Sequence, residues 1–360
     1  MHIRIAVLIS LAILIGLLIA GRTHWLAVSD GMALVRPDSY DFEDLARPPS
    51  KGDFDQELSD IVCRPLPDFD YMKTEPVPPL IERVKQLHAL AARYPNQPAL
   101  YAAAASFEMR AVNYLYNPNQ CLIEKDNVCN FPPPVWDPFI VSSLVSDTES
   151  ACRLEPNNGC FAMLESYAYF AARRDSDGVA AYNRSASCKD WNEHDFEVFK
   201  GAMRRLPGAK SRDVFMIDAV RESMSSNWAW AKLRDLMRVI LTHAAKAEID
   251  GDIDQGVRLR RSMRRVGVLM CDIARSDTAA FVGSVIVSAA NSRICGKWAA
   301  YPKGADRATL TAKSAAQFLR AHGYEADAAD ALRETTRTQK AYASLMAAIK
   351  IDDYWSLIYD

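Results

Sequence analysis

The chain has 360 residues, 49% hydrophobic and 24% charged, a balance that excludes wholesale disorder. Lys+Arg 43 against Asp+Glu 45 leaves a formal charge of −2, so no overall polarity calls for a nucleic-acid partner. Gly 15 and Pro 18 are too few for a collagen-like or low-complexity chain, and abundant alanine with scarce β-branched runs points to an all-α fold.

Residues 1–26 are expected to form a signal anchor with short flanks. No charge interrupts the run from Ile5 to Ala20, which carries Leu8, Leu11, Leu14 and Leu17. With Arg4 snorkelling, residues 3–20 span roughly 27 Å at about 1.5 Å each, enough for a hydrocarbon core. The alternative is a cleaved secretory signal, whose apolar core is usually about 7–15 residues long. Leu18-Ile-Ala20 matches a small-x-small cleavage site poorly, and no Cys follows Ala20 for a lipoprotein anchor. The amino terminus and Arg4 face Arg22 and Asp30 across the segment. That asymmetry favours a cytoplasmic N-terminus and a single-pass protein whose body is periplasmic or on the outer face of the membrane.

Residues 27–78 contain Arg47-Pro-Pro-Ser-Lys-Gly52 and Arg64-Pro-Leu-Pro67 and show no helical period. They read as an extended tether with short ordered pieces, which holds the body off the bilayer or lies across its surface.

The body is expected over 79–350. Leu80, Ile81, Val84, Leu87 and Ala91 recur three and four apart, and Pro79 suits a first helical turn. Tyr94-Pro95-Asn96 breaks the chain before a helix over about 97–114, and Phe131-Pro-Pro-Pro134 forces an extended segment. A helix over 138–154, a turn at Glu155-Pro156-Asn157-Asn158-Gly159, a helix over 160–173 and a short one ending near Cys188 follow. Further helices are expected over 192–205, 211–223, 228–249, 253–274, 277–295, 306–322 and 325–350. Gly323 supplies a helix stop through positive φ.

Two segments run parallel: Ala92-Arg-Tyr-Pro95-Asn96-Gln-Pro-Ala-Leu-Tyr101-Ala and Cys152-Arg-Leu-Glu-Pro156-Asn157-Asn-Gly-Cys-Phe161-Ala. In each, a helix ends in a Pro-Asn turn and an Ala-rich helix with an aromatic residue begins. A third variant, Ala244-Ala-Lys-Ala-Glu248-Ile-Asp-Gly251-Asp252, ends in a Gly-Asp turn. Over about 79–295 this pattern resembles tetratricopeptide-like (TPR-like) helical repeats. The resemblance implies an α-solenoid of irregular antiparallel helix hairpins and a generic adaptor role.

Cysteines number 8: Cys63, Cys121, Cys129, Cys152, Cys160, Cys188, Cys271 and Cys295. In an exported chain they permit disulfides. Cys121/Cys129 and Cys152/Cys160 share C-x7-C spacing, and Cys188 is a rival partner for Cys160. Cys271, in Val266-Gly-Val-Leu-Met-Cys271, reads as a buried free thiol. No C-x2-C and no histidine at ligand spacing accompany these thiols, so no metal is expected.

Catalytic motifs are absent: no G-x-S-x-G, G-x-G-x-x-G, H-E-x-x-H or C-x-x-C-H. Gly251 and Gly256 have phosphate-loop separation, but Val257 stands where Lys is needed. Asp250-Gly-Asp252-Ile-Asp254 fails as an EF-hand, with Gln255 and Arg261 at the sixth and twelfth places; Asp252 and Asp254 read instead as a helix start. His194, in Trp191-Asn-Glu-His194-Asp195, reads as an exposed histidine at a capped helix start rather than half of an acid–base dyad. Arg258, Arg260, Arg261, Arg264 and Arg265 crowd one helix. Arg258, Arg261 and Arg265 share a face that reads as solvated and paired with nearby acids, or as a contact for an anionic partner. Residues 351–360 form an aromatic tail in which Trp355 and Tyr359 dock on the body or reach a partner.

The chain therefore reads as a membrane-tethered helical scaffold binding protein partners, without catalysis, cofactor or metal. A structural subunit of a larger membrane complex is the alternative. An all-helical envelope enzyme would need two close carboxylates from separate helices.

Overall fold

The computed structural model describes residues 53–63, 77–112, 115, 123–124, 127–128, 137–195, 197–198, 201, 232–233, 235–273, 277–292 and 307–349. Their architecture is all-α, as composition implies. Among the described residues the one strand pairing is a two-residue antiparallel ladder, β1 (Ile123–Glu124) with β2 (Asn127–Val128), in register Ile123 to Val128. The expected anchor (Ile5 to Ala20) and the tail with Trp355 and Tyr359 lie outside the described residues, as do Cys121, Cys129 and Cys295. Among the described residues no helix is long and apolar enough to cross a membrane.

The first described element falls inside the stretch read as a tether. Helix α1 (Phe54–Val62) starts at Asp53, whose carboxylate accepts from the Asp55 and Gln56 amides at 3.0 and 3.4 Å. Its apolar face, with Leu58 fully buried, packs on the next two helices. Arg83 donates to the Ile61 carbonyl at 2.6 Å, Arg93 pairs with Glu57, and Phe54 meets Tyr94 edge to face at 5.4 Å. That short ordered piece is part of the body's surface layer.

Helix α2 (Val77–Arg93) begins two residues before Pro79 and buries Leu80, Val84, Leu87 and Leu90. The Pro-Asn turn returns the chain into α3 (Pro98–Ala111), where proline in the first turn costs no hydrogen bond. Alanines at 99, 104 and 105 are buried, so α3 lies close against both neighbours.

Asp137 caps α4 (Pro138–Leu154) by accepting from the Phe139 amide. α5 (Gly159–Ala171) is buried along almost its whole length, and α6 (Asp175–Ser185) folds back onto it where Gly178 faces the Phe170 ring. A helical stretch over 235–249 (α7) turns at Gly251, φ 91°, into α8 (Ile253–Ile273). The Asp252 carboxylate accepts from the Gln255 amide and caps α8. α9 (Asp277–Ala290) packs on α8, and α10 (Arg307–Ala321) turns at Gly323, φ 87°, into α11 (Glu325–Ile349). The expected helices over 192–205 and 211–223 fall largely outside the described residues.

One large core joins α3 to α9 around Phe161, Tyr167, Tyr182 and Trp191. A second joins α1, α2 and α3, and a third seats α10 and α11 on Val257 of α8. Short turns make α2/α3, α4/α5, α5/α6, α8/α9 and α10/α11 packed neighbours.

Candidate functional site

Three successive helices each place one ionisable residue on an inward-facing stripe. On α2 the stripe Ile81, Val84, His88, Ala91 carries His88. On α4 Ile140, Ser143, Leu144, Asp147, Thr148 and Ala151 are all buried, and Asp147 is the acid among them. On α3 Glu108 sits between Phe107 and Met109 and is fully buried. Helix pairing brings these residues together, with one ligand atom from each of His88, Glu108 and Asp147 within 4.8 Å of the other two.

His88 Nε2 lies 2.7 Å from Asp147 Oδ2. The His88 side chain is 38% exposed and Asp147 only 7%, so the group opens to solvent at the histidine and closes inward toward Glu108. Among the described residues neither Glu108 oxygen meets a hydrogen-bond partner in good geometry, and the neighbouring Ser143 hydroxyl is likewise unsatisfied. Burial pushes the Glu108 carboxyl well above the usual carboxylate range, the Asp147 charge pushes it further, and nearby Ser143 pulls slightly back. The bond to Asp147 raises the His88 pKa against partial desolvation. An acid, a carboxylate and an imidazole thus share one small space, able to hold one proton or one cation among them.

Sequence reading passed over these residues because no local spacing links them; His88 and Asp147 are 59 positions apart. A signal was present nonetheless. Glu108 follows Ala102-Ala-Ala-Ala-Ser-Phe107 and stands between Phe107 and Met109 in a largely apolar segment, where an acid is out of place without a partner.

His194 corrects an expectation. The sequence made it an exposed histidine at a helix start; it is 6% exposed, at φ 61°. Nδ1 lies 3.1 Å from Glu197 Oε1 and Nε2 lies 3.0 Å from Glu155 Oε2, with the ring stacked on Phe161 at 5.2 Å. Asn158 places Glu155: its side chain donates to Glu155 and the Asn192 carbonyl, and accepts from the Cys160 and Asn192 amides. Burial lowers the His194 pKa, but Glu197 and Glu155 together outweigh it and leave the group above its ordinary value. Beside it, Ser106, Phe107, Arg110 and Glu193 help line a cavity of about 50 Å³, far below the roughly 300–1,000 Å³ of an organic-ligand pocket.

The arginine run also departs from expectation. Arg260 and Arg264, on the other face of the run, are 8% and 1% exposed. Arg260 grips Glu248 at 2.5 and 2.8 Å and donates to the Ala290 and Ser292 carbonyls. Arg261 binds Asp327 through two bonds of 2.8 and 2.6 Å, and Arg264 reaches Asp327 and Glu334 at 3.2 Å each. Arg261 holds the Asp327 carboxyl below its usual range. Of the residues marked as partner contacts, Arg258 and Arg265 are exposed, while Arg261 is committed within the chain.

The structure pairs none of Cys152, Cys160 and Cys188. Cys152 Sγ lies 3.4 Å from Glu165 Oε2, Cys188 Sγ 3.4 Å from the Arg184 carbonyl, and Cys160 is buried at the start of α5. Cys271 is a buried thiol facing the Ala280 carbonyl at 3.2 Å. No protein-family model matches the chain, and neither a curated protein nor a solved structure matches it.

Proposed function

We propose that this protein is a membrane-tethered helical scaffold that binds other proteins through a body of TPR-like hairpins and carries out no catalysis. The observation behind it is the succession of helix pairs, each packed on the next through a shared core. Such a body presents long helical surfaces and has no need of a deep pocket. The uncharged run from Ile5 to Ala20 supports the tether, and the charge asymmetry around it supports a body outside the cytoplasm.

The test is purification of the full chain in mild detergent after crosslinking in intact cells. A scaffold exchanges partners, so substoichiometric crosslinks that change with conditions are expected. Co-migration with one partner at fixed stoichiometry would favour the structural-subunit reading, and a strictly solitary protein would defeat both. A membrane-impermeant thiol reagent applied to intact cells should label the half-exposed Cys63, Cys152 and Cys188; labelling only after lysis would overturn the proposed orientation.

One observation favours a second reading, an envelope enzyme using carboxylates: Glu108 and Asp147 do meet from separate helices. Among the described residues, however, Glu108 is fully buried and Asp147 nearly so, which leaves no open cleft between them for a sugar chain. That arrangement fits a shared proton or cation better than a substrate held between two acids.

A further inference from the structure

We propose that His88, Glu108 and Asp147 bind a divalent transition-metal ion, with zinc the best match, and that the ion pins α2, α3 and α4 together at one point. Three independent features lead there. The donor set is one imidazole and two carboxylates, a mixture that suits zinc or manganese. Calcium takes six to eight oxygens, and magnesium keeps most of its water; two carboxylates with one imidazole match neither habit.

The second feature is the state of Glu108. A fully buried carboxyl group whose oxygens meet no donor in good geometry among the described residues, with only Ser143 and the acid Asp147 beside it, is an exception in a folded protein and leaves room for an occupant. One of its oxygens lies within 4.8 Å of the His88 and Asp147 ligand atoms, a space that suits a small cation.

The third is geometry. Atoms bonded to one zinc at about 2.0–2.2 Å stand roughly 3–3.6 Å from one another. The present group brackets that spacing, with His88 and Asp147 at 2.7 Å and the whole set within 4.8 Å. Modest side-chain rotation opens the close pair and draws Glu108 in. The cation sits among the three ligand atoms, and water completes a fourth position on the side that His88 opens to solvent. Ser143, one turn before Asp147 with its hydroxyl unsatisfied, is placed to donate to a carboxylate oxygen that the metal leaves unused.

The experiment uses the full chain in detergent, stripped with a chelator and dialysed. Zinc is then titrated and bound metal is counted by elemental analysis. One equivalent of zinc is expected to survive dialysis and to raise the thermal midpoint. Glu108→Gln and His88→Gln should each weaken binding by at least the roughly 10–100-fold that loss of a merely supporting partner costs. Both variants should keep the native helical circular dichroism, because glutamine fits either space and His88 is partly exposed. Cobalt serves as the spectroscopic probe: visible bands of a low-symmetry nitrogen–oxygen site support the assignment. Thiolate-to-cobalt charge transfer would place the metal on cysteines and overturn it. So would zinc bound equally well by the folded variants, or no zinc retained.

Discussion

A histidine with a carboxylate on each ring nitrogen gains most when it carries a proton, and His194 is so placed, between Glu155 and Glu197 with Glu193 and Asp195 close in sequence. Its folded pKa lies above the ordinary 6.5. The stability it contributes is therefore complete below about pH 6.5 and fades as pH rises through the raised folded value. In metal-free protein His88 shifts in the same direction, so the two effects add. The urea midpoint of the metal-free protein should fall between about pH 6 and about pH 8, and His194→Gln should flatten that slope while lowering stability at the acid end. A slope unchanged by the substitution would show that other groups set it. Glu108 makes the opposite kind of prediction. An unpartnered buried carboxyl costs about 1–3 kcal/mol, so Glu108→Met should raise the urea midpoint of metal-free protein and abolish any gain from zinc. Helical periodicity made the buried stripes legible in the sequence, Ile81 and Val84 among them. It could not show that the polar members of three stripes converge, because that depends on the register between helices, which no single helix encodes.

Helices α8 and α9 cross at close range through paired glycines. A Cβ on Gly267 would sit 2.5 Å from the Gly283 carbonyl oxygen, and one on Gly283 would sit 2.5 Å from the Gly267 carbonyl oxygen. Alanine is intrinsically the better helix former by about 1 kcal/mol, yet here it must push backbone from backbone. Overpacking of this kind costs about 1–3 kcal/mol. Gly267→Ala and Gly283→Ala should each lower the urea midpoint; an increase in either would show that helix propensity outweighs the clash. The turns flanking the helices were read correctly because proline, asparagine and glycine act locally: the Pro-Asn break before α3 and the positive φ of Gly323 need only neighbouring residues. Helix α1 escaped notice for the complementary reason. It has 9 residues, stands between proline-rich stretches, and relies on Leu58 meeting a surface built by α2 and α3.

At the scale of the molecule, α10 and α11 join the rest through a small core around Val257 and the ion lattice of Arg261, Arg264, Asp327 and Glu334. The arginine run was legible as charge, but its burial was not, since Asp327 lies 66 positions after Arg261. Removing one member strands a buried guanidinium; because Arg264 keeps Glu334, Asp327→Asn should cost about 3 kcal/mol or somewhat less. Hydrogen exchange should then quicken in α10 and α11 while α5 stays protected; uniform quickening would mean that the molecule unfolds as one unit. Helix α1 has a different consequence. It is the described element nearest the amino terminus, and it grips α2 and α3 by one small apolar face, the Arg83 bond to Ile61 and the Arg93–Glu57 pair. Any tension drawn along the chain from that end is delivered to this latch before it reaches the interior. Under load α1 should peel away first while the bundle behind it keeps its shape.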